Sequence, residues 1–117
     1  MKWALAFAVI MLNLHPHLAL AQRERGTYVV YWHAGDLYKN CTAPDSGTIC
    51  MVYIEAIADV LGHSEQISGN RACMPGGVNG NRLQEIFLDF IEKSPATTRE
   101  LGAAVAVTLA LAEKYPC

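Results

Sequence analysis

Charged residues are scarce in this sequence: Asp, Glu, Lys and Arg make up 17% of the 117 residues, and the net charge is −2. With no basic run and no aromatic residues interleaved with Lys or Arg, the chain carries no electrostatic footprint for a nucleic acid. A hydrophobic run long enough to span a bilayer is also missing. The apolar stretch at residues 3–14 falls short of the roughly 18 residues a spanning helix needs, and His15, Pro16 and His17 interrupt it. Beyond residue 21 there is no closely spaced cysteine pair and no histidine pair at ligand spacing, which excludes a structural zinc site. Gly76, Gly77 and Gly80 form a glycine-rich turn, but no Lys with Ser or Thr follows to hold phosphates and a metal, so the turn reads as a connector. No metal and no cofactor is expected. Repeats and low-complexity tracts are absent too, and a single domain follows.

What is present begins with an export signal. Lys2 precedes the apolar stretch, and Ala19, Leu20 and Ala21 form a small-residue cleavage site before Gln22. Residues 1–21 therefore read as a secretory signal peptide, and a membrane anchor is the weaker alternative. All four cysteines, Cys41, Cys50, Cys73 and Cys117, lie beyond it. An even count in a small exported domain reads as a disulfide framework. The remaining chain, residues 22–117, buries somewhat over roughly 60% of its unfolded surface, an adequate core but not a generous one. Bridges closing loops of about 10 and 45 residues each contribute roughly 3 to 4 kcal/mol, comparable with the whole net stability of such a domain.

Local patterns predict a compact all-α bundle of four to five helices. Residues 23–33 are rich in Tyr, Val and Trp towards their end and read as an extended arm packing on the core. Asp36 is placed as the cap of a short helix running to about Cys41. The turn-rich residues 42–47 separate it from a helix over 48–61, whose inner face is Cys50, Tyr53, Ile54, Ile57, Val60 and Leu61, with Gly62 as its stop. The polar residues 63–72 have no apolar period and read as an exposed, irregular loop. A helix over 82–93 presents Leu83, Ile86, Phe87, Phe90 and Ile91 inward and Glu85, Asp89 and Glu92 outward. Thr97 and Glu100 have capping-box spacing, so the last helix is expected to start there and to run to Tyr115 before Pro116. Between residues 101 and 112 it is apolar on every side, which makes it either the central helix of the bundle or part of a homodimer seam.

Catalysis has little to draw on. A nucleophilic cysteine needs a free thiol beside His33 or His63, and two disulfides leave none. In the segment Gly62, His63, Ser64, Glu65, Gln66, the glutamine stands where a nucleophile elbow needs a second glycine, and no strand precedes it. Glu55 with Asp59, and Glu85 with Asp89 and Glu92, fall on solvent faces, whereas a general acid needs a desolvated carboxyl. Such faces suit the steering of a basic partner. No catalytic residue is assigned, and a binding protein is the cheaper reading.

Three stretches together carry a family resemblance. Residues 50–59, CMVYIEAIAD, resemble a cysteine, tyrosine, isoleucine and aspartate helix motif; Cys73, Met74 and Pro75 resemble a cysteine and proline turn; Tyr115, Pro116 and Cys117 resemble a closing tyrosine, proline, cysteine signature. With Gly35, Asp36 and Leu37 ahead of Cys41, the likeness runs in order through nearly all of residues 22–117. The chain resembles the Rap and Tai group of immunity proteins against type VI secretion amidase effectors. It departs from that group at Val52 and Ala56, where glycines are usual, and the usual glutamine entering the helix at Arg82 has no clear counterpart.

The resemblance implies a periplasmic, helical, disulfide-bonded protein, homodimeric like its relatives, that plugs the active-site cleft of a peptidoglycan-cleaving amidase. The exposed loops at residues 42–47 and 63–71 are the expected contacts, chiefly His63, Ser64, Glu65, Gln66, Asn70 and Arg71. A periplasmic binding or chaperone-like domain for another client is the alternative, and a hydrolase would require a free thiol. For the pairing, the short loop between consecutive helices brings Cys41 to Cys50, and an antiparallel hairpin of the last two helices brings Cys73 to Cys117. Four cysteines allow three connectivities.

Overall fold

The computed structural model describes residues 31–117. The expected signal peptide and the first part of the arm, residues 23–30, lie outside the described residues. The last part of the arm follows the expectation: Trp32 is half-buried and stacks on Tyr53, with ring centroids 5.6 Å apart and planes within 9° of parallel.

Helix α1 (Ala34–Thr42) is capped by Asp36, though from inside its first turn: the His33 backbone N–H donates to Asp36 Oδ2 at 3.1 Å, so His33 is the capping position and Asp36 the third helical residue. The helix therefore starts two residues ahead of the residue expected to cap it. It buries Ala34, Leu37 and Cys41, and it ends where Ala43, extended as residues before proline are, leads into Pro44.

Helix α2 (Gly47–Gly62) buries Cys50, Ile54 and Leu61, with Tyr53 and Ile57 half-buried beside them. Val60, expected on the inner face, is 42% exposed because that face is narrower than the run of apolar residues. Gly62 is the last helical residue and not the stop itself. His63 Nδ1 lies 2.8 Å from the Asp59 carbonyl oxygen, and the left-handed turn falls on Ser64, at φ 66°.

Residues 63–72 are more ordered than their polarity predicts. Ile67 and Asn70 exchange both backbone hydrogen bonds, at 3.1 and 3.0 Å, around Ser68 and Gly69, which both have positive φ. This is a two-residue hairpin turn of the type that requires left-handed central residues. Ile67 is half-buried and Ala72 is buried, so two side chains the period analysis passed over pin the segment to the core.

Helix α3 (Gly80–Lys93) starts two residues earlier than expected, because the Asn79 side chain accepts the Arg82 backbone N–H at 2.9 Å. It buries Leu83, Ile86, Phe87 and Ile91 as predicted, with Phe90 half-buried, and turns Glu85, Asp89 and Glu92 outward.

The largest departure lies after Pro95. Thr97 and Glu100 do not open a long helix; Ala96–Glu100 is a 3-10 turn, and α4 runs from Ala103 to Lys114 with Gly102 as its cap. The arm competes for the backbone there. Ala34 N–H donates to the Leu101 carbonyl at 2.8 Å and Ala103 N–H to the Trp32 carbonyl at 2.9 Å, with His33 opposite Gly102 in an antiparallel bridge. A continuous helix would use those groups internally.

Helix α4 packs against α1, α2 and α3, as α2 also does against the other three helices. Ala103, Ala106, Val107, Ala110 and Leu111 are buried, and so is Thr108, whose hydroxyl donates to the Ala104 carbonyl at 2.7 Å. Burial is not complete all round: Val105, Leu109 and Ala112 are half-buried along one side. The disulfides pair as expected, Cys41 with Cys50 and Cys73 with Cys117, at Cα separations of 4.9 and 5.0 Å. The fold is all-α, four helices with two staples; among the described residues the only β-pairing is two isolated bridges.

Candidate functional site

Every cysteine is in a disulfide, so no thiol is available as a nucleophile or metal ligand. Among the described residues no cluster of His, Cys, Asp and Glu is placed to hold a metal ion. No described helix is long and apolar enough to cross a membrane.

The carboxylates are spoken for or exposed. Glu85 pairs with Arg82 at 2.9 Å and Asp89 with Lys93 at 2.7 Å on the outer face of α3. Glu85 beside it pushes the Arg82 guanidinium further above its ordinary range, and Arg82 stays a fixed cation. Glu55 is different from what its stripe with Asp59 suggests. It is half-buried against the start of α3, where a carboxylate faces the positive end of the helix dipole. Asp59 remains exposed. Tyr53 is the other perturbed group: burial raises its phenol above the ordinary value, and a hydrogen bond with the Ala104 backbone opposes the shift.

Of the six expected contact residues, His63, Ser64, Glu65, Gln66 and Arg71 are exposed, while Asn70 is half-buried and braces the hairpin by donating to the Ser68 carbonyl at 3.1 Å. The connection that carries them is tied down at Ile67, at Ala72 and by the Cys73 disulfide. Beside it runs a groove between the end of α2 and the glycine-rich turn, with Asp59 and His63 on its rim and Ala58, Met74 and Val78 along its floor. The other expected contact loop, residues 42–47, is not brought to the same place. The two loops sit at opposite ends of α2, which at 16 residues separates them by about 24 Å.

The sequence reading missed a second surface. Ile49 is 54% exposed, Val52 58% and Val60 42%, and with the exposed Ala56 they form one outer stripe along α2. Their spacing of three and four residues is visible in the sequence, but of the four only Val60 is assigned a face, the inner one. Among the described residues, a polar hairpin and an apolar face of α2 both stand open to solvent. The reading also missed Gln84, whose amide donates to the Cys41 carbonyl at 3.2 Å and ties α3 to the end of α1.

The described residues form a small all-α domain stapled by two disulfides. The particular family is shown by its model: Rap1a immunity proteins match residues 33–117, and the chain belongs to that family. The match begins at the cap of α1 and takes in all four helices and both disulfides. No curated protein matches the chain. Membership makes it an immunity protein, a binding partner for a secreted effector.

Proposed function

We propose that this is a periplasmic immunity protein that binds a type VI secretion peptidoglycan amidase and blocks its active-site cleft, with residues 63–71 as the part that meets the cleft. The observation that carries this reading is the braced hairpin at Ile67 to Asn70: a polar projection held at both ends loses little conformational freedom on binding, as a plug requires. Export before folding agrees with the two disulfides, which need an oxidising compartment to form.

The chain acts as a homodimer in this reading, with the α2 stripe of Ile49, Val52, Ala56 and Val60 as the seam. That face holds Val52 and Ala56, where glycines are usual in the group the sequence resembles. Sedimentation of the oxidised protein should give twice the chain mass. A peptidoglycan-cleavage assay tests the activity: addition of the immunity protein in equal amount to the amidase encoded beside its gene should abolish cleavage. Broad binding of unrelated clients with no effect on an amidase would favour a chaperone-like role.

A further inference from the structure

The two disulfides occupy opposite environments. Cys41 and Cys50 are 7% and 0% exposed, enclosed between α1 and α2. Cys73 and Cys117 are both exposed, on the surface beside the end of α4. Thiol exchange requires a thiolate to reach a disulfide sulfur along the S–S axis, so access sorts the two bonds. Both lie in one small domain, and only one can be reached without unfolding it.

We propose that Cys73–Cys117 is a thiol-exchange site, opened by a dithiol reductant while Cys41–Cys50 stays closed, and that its opening loosens the connection between α2 and α3. In the exchange, one thiolate of the reductant attacks an exposed Sγ and the other protein sulfur leaves as a thiolate. The second thiol of the reductant then attacks its own sulfur in the mixed disulfide. The protein bond gains two electrons and two protons, and the dithiol becomes a disulfide.

The structure shows what the bond holds. Between the end of α2 and the start of α3 the backbone is fixed by the Ile67–Asn70 hairpin, by buried Ala72 and by Cys73, whose N–H donates to the Tyr115 carbonyl at 2.9 Å. The disulfide clamps that hydrogen bond by joining its donor residue, Cys73, to Cys117, two residues beyond its acceptor. With the bond open, Ile67, Ala72, Met74 and Tyr115 still pack on the core, but the hydrogen bond from Cys73 to Tyr115 loses the covalent link beside it, and residues 116–117 are released. The buried core of the four helices contains neither Cys73 nor Cys117. For binding, the consequence rests on the placement of the effector contacts at residues 63–71. The plug loses one of its braces when the exposed staple opens, which ties the protein's fitness to bind to an oxidising compartment.

The test is a native titration of the oxidised protein with dithiothreitol, quenched by alkylation and mapped by mass spectrometry, with amide exchange measured on the same samples. The expected product carries alkyl groups on Cys73 and Cys117 with Cys41–Cys50 intact, and the amides of Ile67, Asn70 and Cys73 exchange at least tenfold faster than before while Ile54 and Val107 stay the slowest to exchange. Simultaneous opening of both bonds, prior opening of Cys41–Cys50, or unchanged exchange at Ile67 and Asn70 would overturn the proposal. A C73S/C117S variant should show the fast-exchange pattern without reductant, and the titration decides the matter should that variant not fold. Amidase binding that survives selective opening with fast exchange would leave the exchange site standing and remove the contacts from residues 63–71.

Discussion

Gly80 and Glu55 meet where α3 begins: a Cβ on Gly80 would occupy the space of the Glu55 carboxylate oxygen and of the Met51 side chain. The absence of a side chain at Gly80 lets α3 approach α2 closely enough for Glu55 to face its amino terminus. Gly80→Ala should therefore destabilise the fold by about 1 to 2 kcal/mol, overpacking outweighing the gain in helix propensity. Gly62→Ala, where nothing lies within 4 Å of the added carbon, should be neutral or stabilising by about 0.5 kcal/mol. Urea denaturation of the two variants checks the contrast, and equal effects would show that the close approach does not matter.

The stack of Trp32 on Tyr53 fixes the arm that splits the last helical region in two. Trp32→Ala should cost about 2 kcal/mol from lost burial and stacking, measured by thermal unfolding. It should also raise amide exchange at Ala34 and Ala103, whose N–H groups donate to Leu101 and Trp32.

Tyr53 adds a pH signature. Its phenol is raised in the folded protein, so the folded state holds that proton more tightly than the unfolded chain, whose value is near 10.0. Stability from this group is complete below about pH 9 and declines as pH rises through 10 towards the folded value. Tyr53→Phe should lose part of this alkaline decline, measured as a flatter dependence of the denaturation midpoint between pH 9 and 11.

Removal of each disulfide should be graded by loop length. Sequence separations of 9 and 44 correspond on the chain-entropy model to about 3 kcal/mol for Cys41–Cys50 and about 4 kcal/mol for Cys73–Cys117. The buried bond adds a packing loss that the exposed one lacks. Paired Cys→Ala variants compared by urea midpoint should therefore differ by less than loop length alone implies.

The exposed stripe on α2 makes the homodimer testable without disturbing the core. Val52→Glu places a charge on a side chain that is 58% exposed and should change monomer stability by less than about 0.5 kcal/mol. In light scattering it should halve the particle mass; an unchanged mass would remove α2 from the seam.

Where the sequence could be read, one strong signal usually acted alone. The inner face of α3, Leu83, Ile86, Phe87 and Ile91, emerged because its apolar period has no competitor, and the disulfide pairing followed from helix order. Failures came where a distant partner decided the outcome. Thr97 and Glu100 satisfy a local capping rule, yet the arm sixty-odd residues earlier claims the backbone of Leu101 and Ala103 through Ala34 and Trp32. Ile67 is a single apolar residue in a polar stretch, and no periodicity marks it, although it anchors the hairpin. The apolar spacing of Ile49, Val52, Ala56 and Val60 was legible, but a sequence does not say which of two apolar faces is covered. Of the six residues expected as contacts on residues 63–71, five are exposed and Asn70 is half-buried; that residues 42–47 lie at the far end of α2 needed its length and direction.

Titration calorimetry of residues 22–117, oxidised, against any peptidoglycan amidase effector encoded beside the gene tests the central claim most directly. The account predicts a saturable complex whose formation stops peptidoglycan cleavage, weakened at least tenfold by Arg71→Glu or Glu65→Arg with the fold unchanged. Absence of binding, or binding that leaves cleavage intact, would contradict it.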